Sequence, residues 1–230
     1  MKNQDSCLLF FVKYPEKGRV KLRLSRDLDE EIVQELYQCF ILDTLVMIEK
    51  MNIPFYICFY PPNKKSDFQR LLGSTRQFLP QNGKDLGERM KNSFEEVFTK
   101  DVQKALLIGS DSPDLPQEYI TQAFTILENK DVVLGPSLDG GYYLIGFKST
   151  TFTPRVFEDI QWSSPMVFQE TMTKIQHSKL SVGSLPTWSD IDTISDLRNL
   201  VNRTTNTSFK SSKTMTYLQH HHINLESKHE

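Results

Sequence analysis

The chain has 230 residues, of which 38% are hydrophobic and 24% charged; this is enough for one sizeable core but not for two domains of typical size. The chain has a formal net charge of −2 at pH 7 and so lacks the excess of basic residues typical of proteins that bind nucleic acid or anionic membranes. We therefore expect neither partner. The three cysteines stand far apart, and no apolar run has the length of a signal-peptide core or a membrane span. We therefore expect reduced thiols and a cytoplasmic protein.

Short apolar runs alternate with segments of helical periodicity along most of the chain. The predicted strands cover residues 7–12, 55–60, 76–80, 105–108, 132–134 and 142–147. The predicted helices cover residues 29–51, 67–72, 86–98, 117–128, 165–175 and 194–201. This alternation predicts an α/β fold, a three-layer α/β/α sandwich around a mostly parallel, Rossmann-like sheet. We expect one domain over residues 1–203 and a polar, flexible tail over residues 204–230.

A basic loop follows the first strand and contains five cations around one glycine: Lys13, Lys17, Gly18, Arg19, Lys21 and Arg23. The glycine permits close backbone approach, and the cations can neutralise a polyphosphate. The alternative is a solvated surface loop. Because ligands of open α/β sheets lie outside the carboxyl ends of the strands, we expect this loop to bind phosphate. Lys21 and Arg23 are predicted on one side of an extended segment.

Asp111 lies just beyond the predicted strand at residues 105–108, at the same edge of the sheet. Carboxylate oxygens and substrate phosphates are the ligands that Mg²⁺ prefers, so Asp111 is predicted to bind a metal. Asp114 has a different predicted role, as the cap of the helix that begins after Pro116.

A second acidic turn, Asp139-Gly140-Gly141-Tyr142-Tyr143, follows the strand at residues 132–134. Paired glycines permit positive φ and close approach of a ligand. Asp-Gly is also a strong signal for a tight hairpin turn, and the two interpretations are compatible. The tyrosines could stack on a sugar or a base, or pack in the core.

The last motif lies at residues 190–196 and contains three aspartates and a threonine that need an explanation. Thr193 and Asp196 resemble a capping box, which explains both without invoking function. Asp190 and Asp192 remain, and either could supply a second metal ligand; we select Asp192.

A polar segment at residues 81–90 precedes the predicted third helix. Asp85 followed by Glu88 predicts a helix cap. Gln81 and Arg89 could reach a nucleotide base or a phosphate, so both are candidate binding residues.

Five of these segments together resemble a bacterial transferase family described as glycosyltransferase A-like, also called radical-SAM/selenodomain-associated transferase. The segments are residues 11–15, 18–24, 109–115, 135–144 and 190–193. The family is part of the nucleotide-diphospho-sugar transferase superfamily, and its wider relatives are the phospholactate and molybdenum-cofactor guanylyltransferases. The resemblance extends from residue 8 to residue 200 and implies the nucleotide-diphospho-sugar transferase fold of the GT-A type.

The chain departs from the pattern of this superfamily at two places. Glycosyltransferases of the fold usually carry Asp-x-Asp at the metal strand, whereas Gly109-Ser110-Asp111 has one acid. Asp111-Ser112-Pro113 is similar instead to the Asp-x-Pro of the molybdenum-cofactor guanylyltransferases. The first-loop lysine of the family corresponds to Lys21, and its next residue, threonine in the family, is Leu22 here.

The resemblance implies a Mg²⁺- or Mn²⁺-dependent transferase that acts on a small-molecule nucleotide or nucleotide sugar. The expected catalytic residues are Asp111, Lys21 and Asp139, and the expected metal ligands are Asp111, Asp139 and Asp192. The expected nucleotide and phosphate ligands are Lys13, Gly18, Arg19, Lys21, Arg23, Gln81, Arg89, Gly140 and Gly141.

Three functions remain open at this point. The family favours glycosyl transfer from a nucleotide-sugar donor. The basic loop and the Asp-x-Pro motif favour nucleotidyl transfer from a nucleoside triphosphate with release of pyrophosphate. The third possibility is a nucleotide-binding module without catalytic activity.

Overall fold

A computed structural model describes residues 5–225 and contains one seven-stranded sheet. The strands are β1 Ser6–Lys13, β2 Phe55–Tyr60, β3 Phe78–Pro80, β4 Lys104–Ile108, β5 Val132–Pro136, β6 Tyr142–Lys148 and β7 Val182–Ser184. Their order is β3-β2-β1-β4-β6-β5-β7. Neighbouring strands are parallel except at β6, which is antiparallel to both β4 and β5. The predicted mostly parallel sheet is confirmed.

Helices cover both faces of this sheet. They are α1 Glu30–Lys50, α2 Lys65–Leu72, α3 Leu86–Phe98, α4 Gln117–Asn129, α5 Val167–His177, α6 Ile194–Thr204 and α7 Lys213–His220. Short 3-10 turns occupy Leu24–Arg26, Pro62–Lys64, Ser149–Thr151, Pro154–Phe157 and Ser208–Ser211. None of the helices between residues 5 and 225 has the length and apolar character needed to cross a membrane.

The central strand β1 shows why the sheet has three layers. Leu8 and Phe10 point into a core cluster shared with α1, α2, α4, α6 and α7. Leu9 and Phe11 point into the cluster on the opposite face, shared with α3 and α5. A strand buried on both faces needs an uninterrupted apolar run rather than alternation, which is the pattern of residues 7–12. The predicted α/β/α sandwich is therefore confirmed.

The predicted flexible tail is wrong for the part of it that the structure describes. Residues 205–225 include α7, which packs against α1 and buries Met215 and Leu218 in the main core. The Asp43 carboxylate of α1 accepts hydrogen bonds from the backbone N–H groups of Lys213 and Thr214, both at 2.8 Å. This carboxylate satisfies two of the amides that every helix start leaves unpaired. The last five residues of the predicted tail lie outside the described residues.

Candidate active site

The turn after β4 places Asp111 at the edge of the sheet and fixes it from two sides. The Ser110 hydroxyl lies 2.8 Å from the Tyr37 hydroxyl, and the Tyr37 oxygen also accepts the backbone N–H of Lys13 at 3.3 Å. The Asp111 carbonyl oxygen accepts the backbone N–H of Ile191 at 2.9 Å. Burial, together with the nearby Asp111 charge, raises the pKa of Tyr37 to about 12, so this hydroxyl stays neutral. The Asp111 side chain remains half exposed.

Lys21 lies between two of the predicted metal ligands. Its Nζ is 2.6 Å from Asp111 Oδ1 and 2.8 Å from Asp192 Oδ1. Only 5% of the Lys21 side chain is exposed. Burial lowers its pKa, but the charges of Asp111 and Asp192 outweigh this effect, and the pKa of Lys21 is raised above its usual value. The ammonium is therefore charged, and one of its partners, Asp192, lies 171 positions away in the chain.

The backbone around Lys21 differs from the predicted extended segment. Lys21 has a φ of +46°, and its carbonyl oxygen accepts the backbone N–H of Ser25 at 3.1 Å, at the start of the 3-10 turn Leu24–Arg26. Arg23 still approaches the same carboxylate, with Nη1 at 3.9 Å from Asp192 Oδ2, but its side chain is mostly exposed. Lys21 and Arg23 therefore both approach Asp192, although the predicted extended geometry is wrong.

Asp190 connects two turns of the site by hydrogen bonds. It was not chosen as a site residue from the sequence. Its Oδ1 accepts the Ser112 hydroxyl at 2.5 Å, and its Oδ2 accepts the Ser137 hydroxyl at 2.7 Å. Ser112 belongs to the turn after β4, and Ser137 to the turn after β5. Burial and the neighbouring Asp111 charge raise the pKa of Asp190 to about 6. No local sequence pattern marks this acid as the one that joins the two turns, rather than Asp192 or Asp196.

A cleft of about 390 Å³ opens beside Asp111, within the size range of small-molecule sites. It is lined by Phe11, Val12, Lys13, Tyr37, Tyr60, Gln81, Leu86, Arg89, Met90, Leu107, Gly109, Ser110, Asp111, Tyr142 and Tyr143. Four predicted site residues, Lys13, Gln81, Arg89 and Asp111, therefore share one cavity. The two tyrosines of the second acidic turn also contribute to its wall.

Gln81 and Arg89 are held in the cleft wall by the protein itself. Gln81 is buried, and its Nε2 donates to the Cys58 carbonyl at 2.6 Å and to the Val12 carbonyl at 3.3 Å. The Arg89 guanidinium lies 4.3 Å from the Tyr60 ring centroid, a cation–π geometry. These contacts fix both side chains before any ligand binds.

Two predicted phosphate ligands of the first loop have local structural partners. Gly18 has a φ of +66°, and a side chain there would crowd the Glu30 carboxylate at the start of α1. Arg19 offers its carbonyl oxygen to Lys13 Nζ at 2.5 Å. The loop therefore faces an acidic helix start, and Gly18 and Arg19 are not among the residues that line the cleft.

The glycines of the second acidic turn make a close contact within the protein. Gly140 has a φ of +91°, and a Cβ at this position would overlap the carbonyl oxygen of Pro165. The Asp139 carboxylate accepts the backbone N–H of Gly141 at 2.9 Å. The close approach expected for a ligand at Gly140 is taken by the segment before α5, so that expectation is wrong for this residue.

The donor set fits a divalent ion held by two carboxylates. Among residues 5–225, no three His, Cys, Asp or Glu side chains converge on one metal position, so Asp139 does not complete a site with Asp111 and Asp192. Mg²⁺ commonly takes one or two carboxylates and completes its shell with water and substrate phosphates. Asp111 and Asp192, which meet at Lys21, satisfy this requirement.

The helix caps near the site test three further sequence predictions. Asp85 accepts the backbone N–H of Glu88 at 2.8 Å, and Thr193 with Asp196 forms the predicted capping box. Asp114 does not cap α4. It binds the Arg203 guanidinium through both oxygens, at 2.7 and 2.8 Å, and anchors the turn after β4 to α6.

One protein-family model matches more than half of this chain. Residues 44–164 match the family described as "Uncharacterized protein conserved in bacteria (DUF2064)". The chain belongs to this family. A search of curated proteins found no match.

Solved structures relate the DUF2064 chain to the predicted superfamily. A crystal structure of a "putative nucleotide-diphospho-sugar transferase" from Desulfovibrio desulfuricans G20 is 39% identical, covers 95% of both chains and has a TM-score of 0.91. The inositol-1-phosphate CTP transferase of T. maritima is 11% identical, with a TM-score of 0.56 over 91% of this chain and 98% of its own. A cytidylyltransferase from Leptospira borgpetersenii is 12% identical, with a TM-score of 0.54 over 94% and 92%. The latter two share the fold. The predicted superfamily and enzyme class, transferase, are confirmed.

Proposed function

We propose that this protein is a divalent-metal-dependent transferase that binds a nucleotide by its phosphates beside Asp111. The observation that carries the proposal is the Lys21 ammonium between Asp111 and Asp192, at 2.6 and 2.8 Å, next to a preformed cleft. A cation for phosphate and two carboxylates for a metal are thus adjacent at the carboxyl edge of a parallel sheet, where α/β proteins bind ligands.

The residues of the site have separable roles in this proposal. Mg²⁺ or Mn²⁺, held by Asp111 and Asp192, would neutralise charge on the leaving phosphate. Lys21 and Arg23 would pair with phosphate oxygens on the same side. Lys13, in the cleft wall, would add a further cation. Catalysis by these groups would depend mainly on positioning and charge neutralisation.

We propose a nucleotide-diphospho-sugar as the donor. The support is the 39% identical relative from Desulfovibrio desulfuricans, which carries that assignment and matches 95% of the chain. Arg89 and the two tyrosines in the cleft wall offer a planar cation and aromatic surfaces for a base or a sugar. A cytoplasmic location is part of the same proposal and is supported by the three free cysteines.

Nucleotidyl transfer is the second candidate, and one observation favours it. Gly109 occupies the first acidic position of an Asp-x-Asp motif, and the next residue, Ser110, is bound through its hydroxyl to Tyr37 in a buried contact. The turn therefore offers one carboxylate, as in Asp-x-Pro nucleotidyltransferases. In this reaction an acceptor oxygen attacks the α-phosphate of a nucleoside triphosphate and pyrophosphate leaves.

A substrate screen distinguishes the two candidates. Nucleoside triphosphates and nucleotide sugars would be tested by thermal shift with Mg²⁺, Mn²⁺ or EDTA, and a ligand at 100 times its dissociation constant should stabilise the fold by about 2.7 kcal/mol. Stabilisation by a nucleotide sugar, lost in Asp111→Asn with metal present, supports the donor proposed first. Stabilisation by a triphosphate alone replaces it with nucleotidyl transfer. A response to neither class of ligand would remove the proposed function.

A further inference from the structure

The two carboxylates proposed to hold the metal already share a cation that belongs to the protein. Lys21 Nζ makes charge-assisted hydrogen bonds to Asp111 and to Asp192. A divalent ion that bridged Asp111 Oδ1 and Asp192 Oδ1 would lie where the ammonium lies. Two cations cannot occupy that space together, because their repulsion rises steeply at a separation of a few ångströms.

The position of Lys21 is fixed by its backbone as well as by its charge. The residue has a left-handed φ of +46°, and its carbonyl oxygen accepts both the backbone N–H and the hydroxyl of Ser25, at 3.1 and 3.4 Å. Its side chain is almost fully buried, and a buried ammonium is costly unless it is paired. Lys21 can therefore leave the carboxylates only if another anion replaces them as its partner.

We propose that Lys21 is a built-in counter-cation that occupies the metal position in the nucleotide-free protein. When the metal–nucleotide complex binds, the ammonium moves to a phosphate oxygen and the metal takes its place between the carboxylates. This inference rests on the proposed function and adds an order of binding: free metal binds weakly, and metal and nucleotide enter together. Each ligand then raises the affinity for the other, as linkage requires.

Under this proposal, removing the Lys21 charge raises the affinity for the metal ion, whereas removing an ordinary phosphate-binding lysine would only weaken ligand binding. Lys21→Met keeps the apolar stem but removes the competing charge, so the nucleotide-free protein should bind Mn²⁺ about 10-fold more tightly or better. Arg23→Met is the matched control. It removes one positive charge beside Asp192, but Arg23 is 61% exposed and 3.9 Å from that carboxylate, so Mn²⁺ affinity should change little.

The test is a titration of nucleotide-free wild-type, Lys21→Met and Arg23→Met proteins with Mn²⁺ alone, followed by electron paramagnetic resonance of the free ion. Tighter binding in Lys21→Met only, lost again in Lys21→Met/Asp111→Asn, supports the proposal. Equal affinities in the Lys21 and Arg23 variants, or a gain that survives Asp111→Asn, would overturn it. If Lys21→Met does not fold, as judged by circular dichroism, Lys21→Gln carries the same prediction.

Failure of this inference can be separated from failure of the proposed function. Thermal shift with nucleotides on the same preparations reports whether the protein binds a nucleotide at all. A protein that binds nucleotide but shows no gain in Mn²⁺ affinity in Lys21→Met keeps its proposed function and loses the counter-cation. A protein without nucleotide binding loses both the function and the order of binding that rests on it.

Discussion

Asp190 shows how a single side chain couples the two turns of the site. Its carboxylate accepts Ser112 from the turn after β4 and Ser137 from the turn after β5. These serines lie 78 and 53 positions away in the chain, so only the fold brings them to Asp190. The chain gives up the hydration of this carboxylate in return for two hydroxyl hydrogen bonds. The pKa of Asp190 is nevertheless raised, because these hydrogen bonds do not fully offset the cost of burying its charge.

The pKa of Asp190 predicts how the stability of the protein depends on pH. Its folded-state pKa is about 6, above the reference value of 3.8, so the folded protein holds this proton more tightly than the unfolded chain. The resulting stabilisation is fully present below pH 3.8 and is lost as pH rises through 6. At about 1.4 kcal/mol per pKa unit, the loss is on the order of 3 kcal/mol.

Asp190→Asn isolates this contribution. The amide does not titrate and can still accept or donate hydrogen bonds to the two serines. Urea unfolding between pH 4.5 and 7 should show the free energy of unfolding of the wild type falling more steeply with pH than that of Asp190→Asn. Parallel curves for the two proteins would contradict the assignment.

At the scale of elements, the turn between β5 and β6 depends on a glycine that contacts the protein itself rather than a ligand. Gly140 was expected to admit a ligand, yet it lies against the carbonyl of Pro165, and its own carbonyl oxygen accepts the backbone N–H of Phe168 at 2.9 Å. The turn is thereby joined to the first turn of α5. The sequence indicates that close approach occurs here but not which atoms approach.

Gly140→Ala and Gly141→Ala form a matched pair that tests this role. A methyl group at residue 140 would meet backbone atoms of Pro165 and impose a φ of +91° on alanine, so we expect a loss of at least about 2 kcal/mol of stability. At residue 141 the methyl would meet only the movable Asp139 carboxylate, at 3.2 Å, and the cost should be much smaller. Thermal unfolding of both variants is the measurement, and equal midpoints would refute the proposed contact.

The predicted helices are those long enough to show a period, and the predicted strands, including the three-residue β3, are marked by apolar residues between turn signals. All six predicted strands and six predicted helices are present, and α3 has the predicted ends, Leu86 and Phe98. Strand β7, Val182–Ser184, has three residues and cannot show alternation. Helix α7 presents a single short apolar stripe within a polar segment. Its stability comes from contacts with α1, which composition does not reveal.

The same limit applies to the candidate site. Asp111, Lys21 and Asp192 could be selected because strand ends, a basic loop and a capping box mark their positions along the chain. Their convergence, and the exclusion of Asp139 from it, depend on how the turns are oriented. Local patterns do not encode that orientation.

At the scale of the whole molecule, the C-terminal segment is part of the main fold. Asp43 on α1 pairs with the first amides of α7, and the Tyr217 hydroxyl donates to Glu35 at 2.9 Å. Leu218 joins the same core cluster as the central strand β1. Contacts of this kind link residues that are 170 or more positions apart, so loss of α7 should weaken the whole domain rather than only its own helix.

Two substitutions at neighbouring positions of α7 test whether this helix stabilises the whole domain. Leu218→Ala removes a buried side chain and should lower the free energy of unfolding of the entire chain by about 2 kcal/mol or more, in a single transition. Gln219→Ala, one residue further and exposed, should change it by less than about 0.5 kcal/mol. Urea unfolding followed by Trp188 and Trp162 fluorescence reads out the sheet rather than α7. If Leu218→Ala leaves that transition unchanged, residues 213–220 fold independently of the core, and the predicted boundary at residue 203 would be the better description.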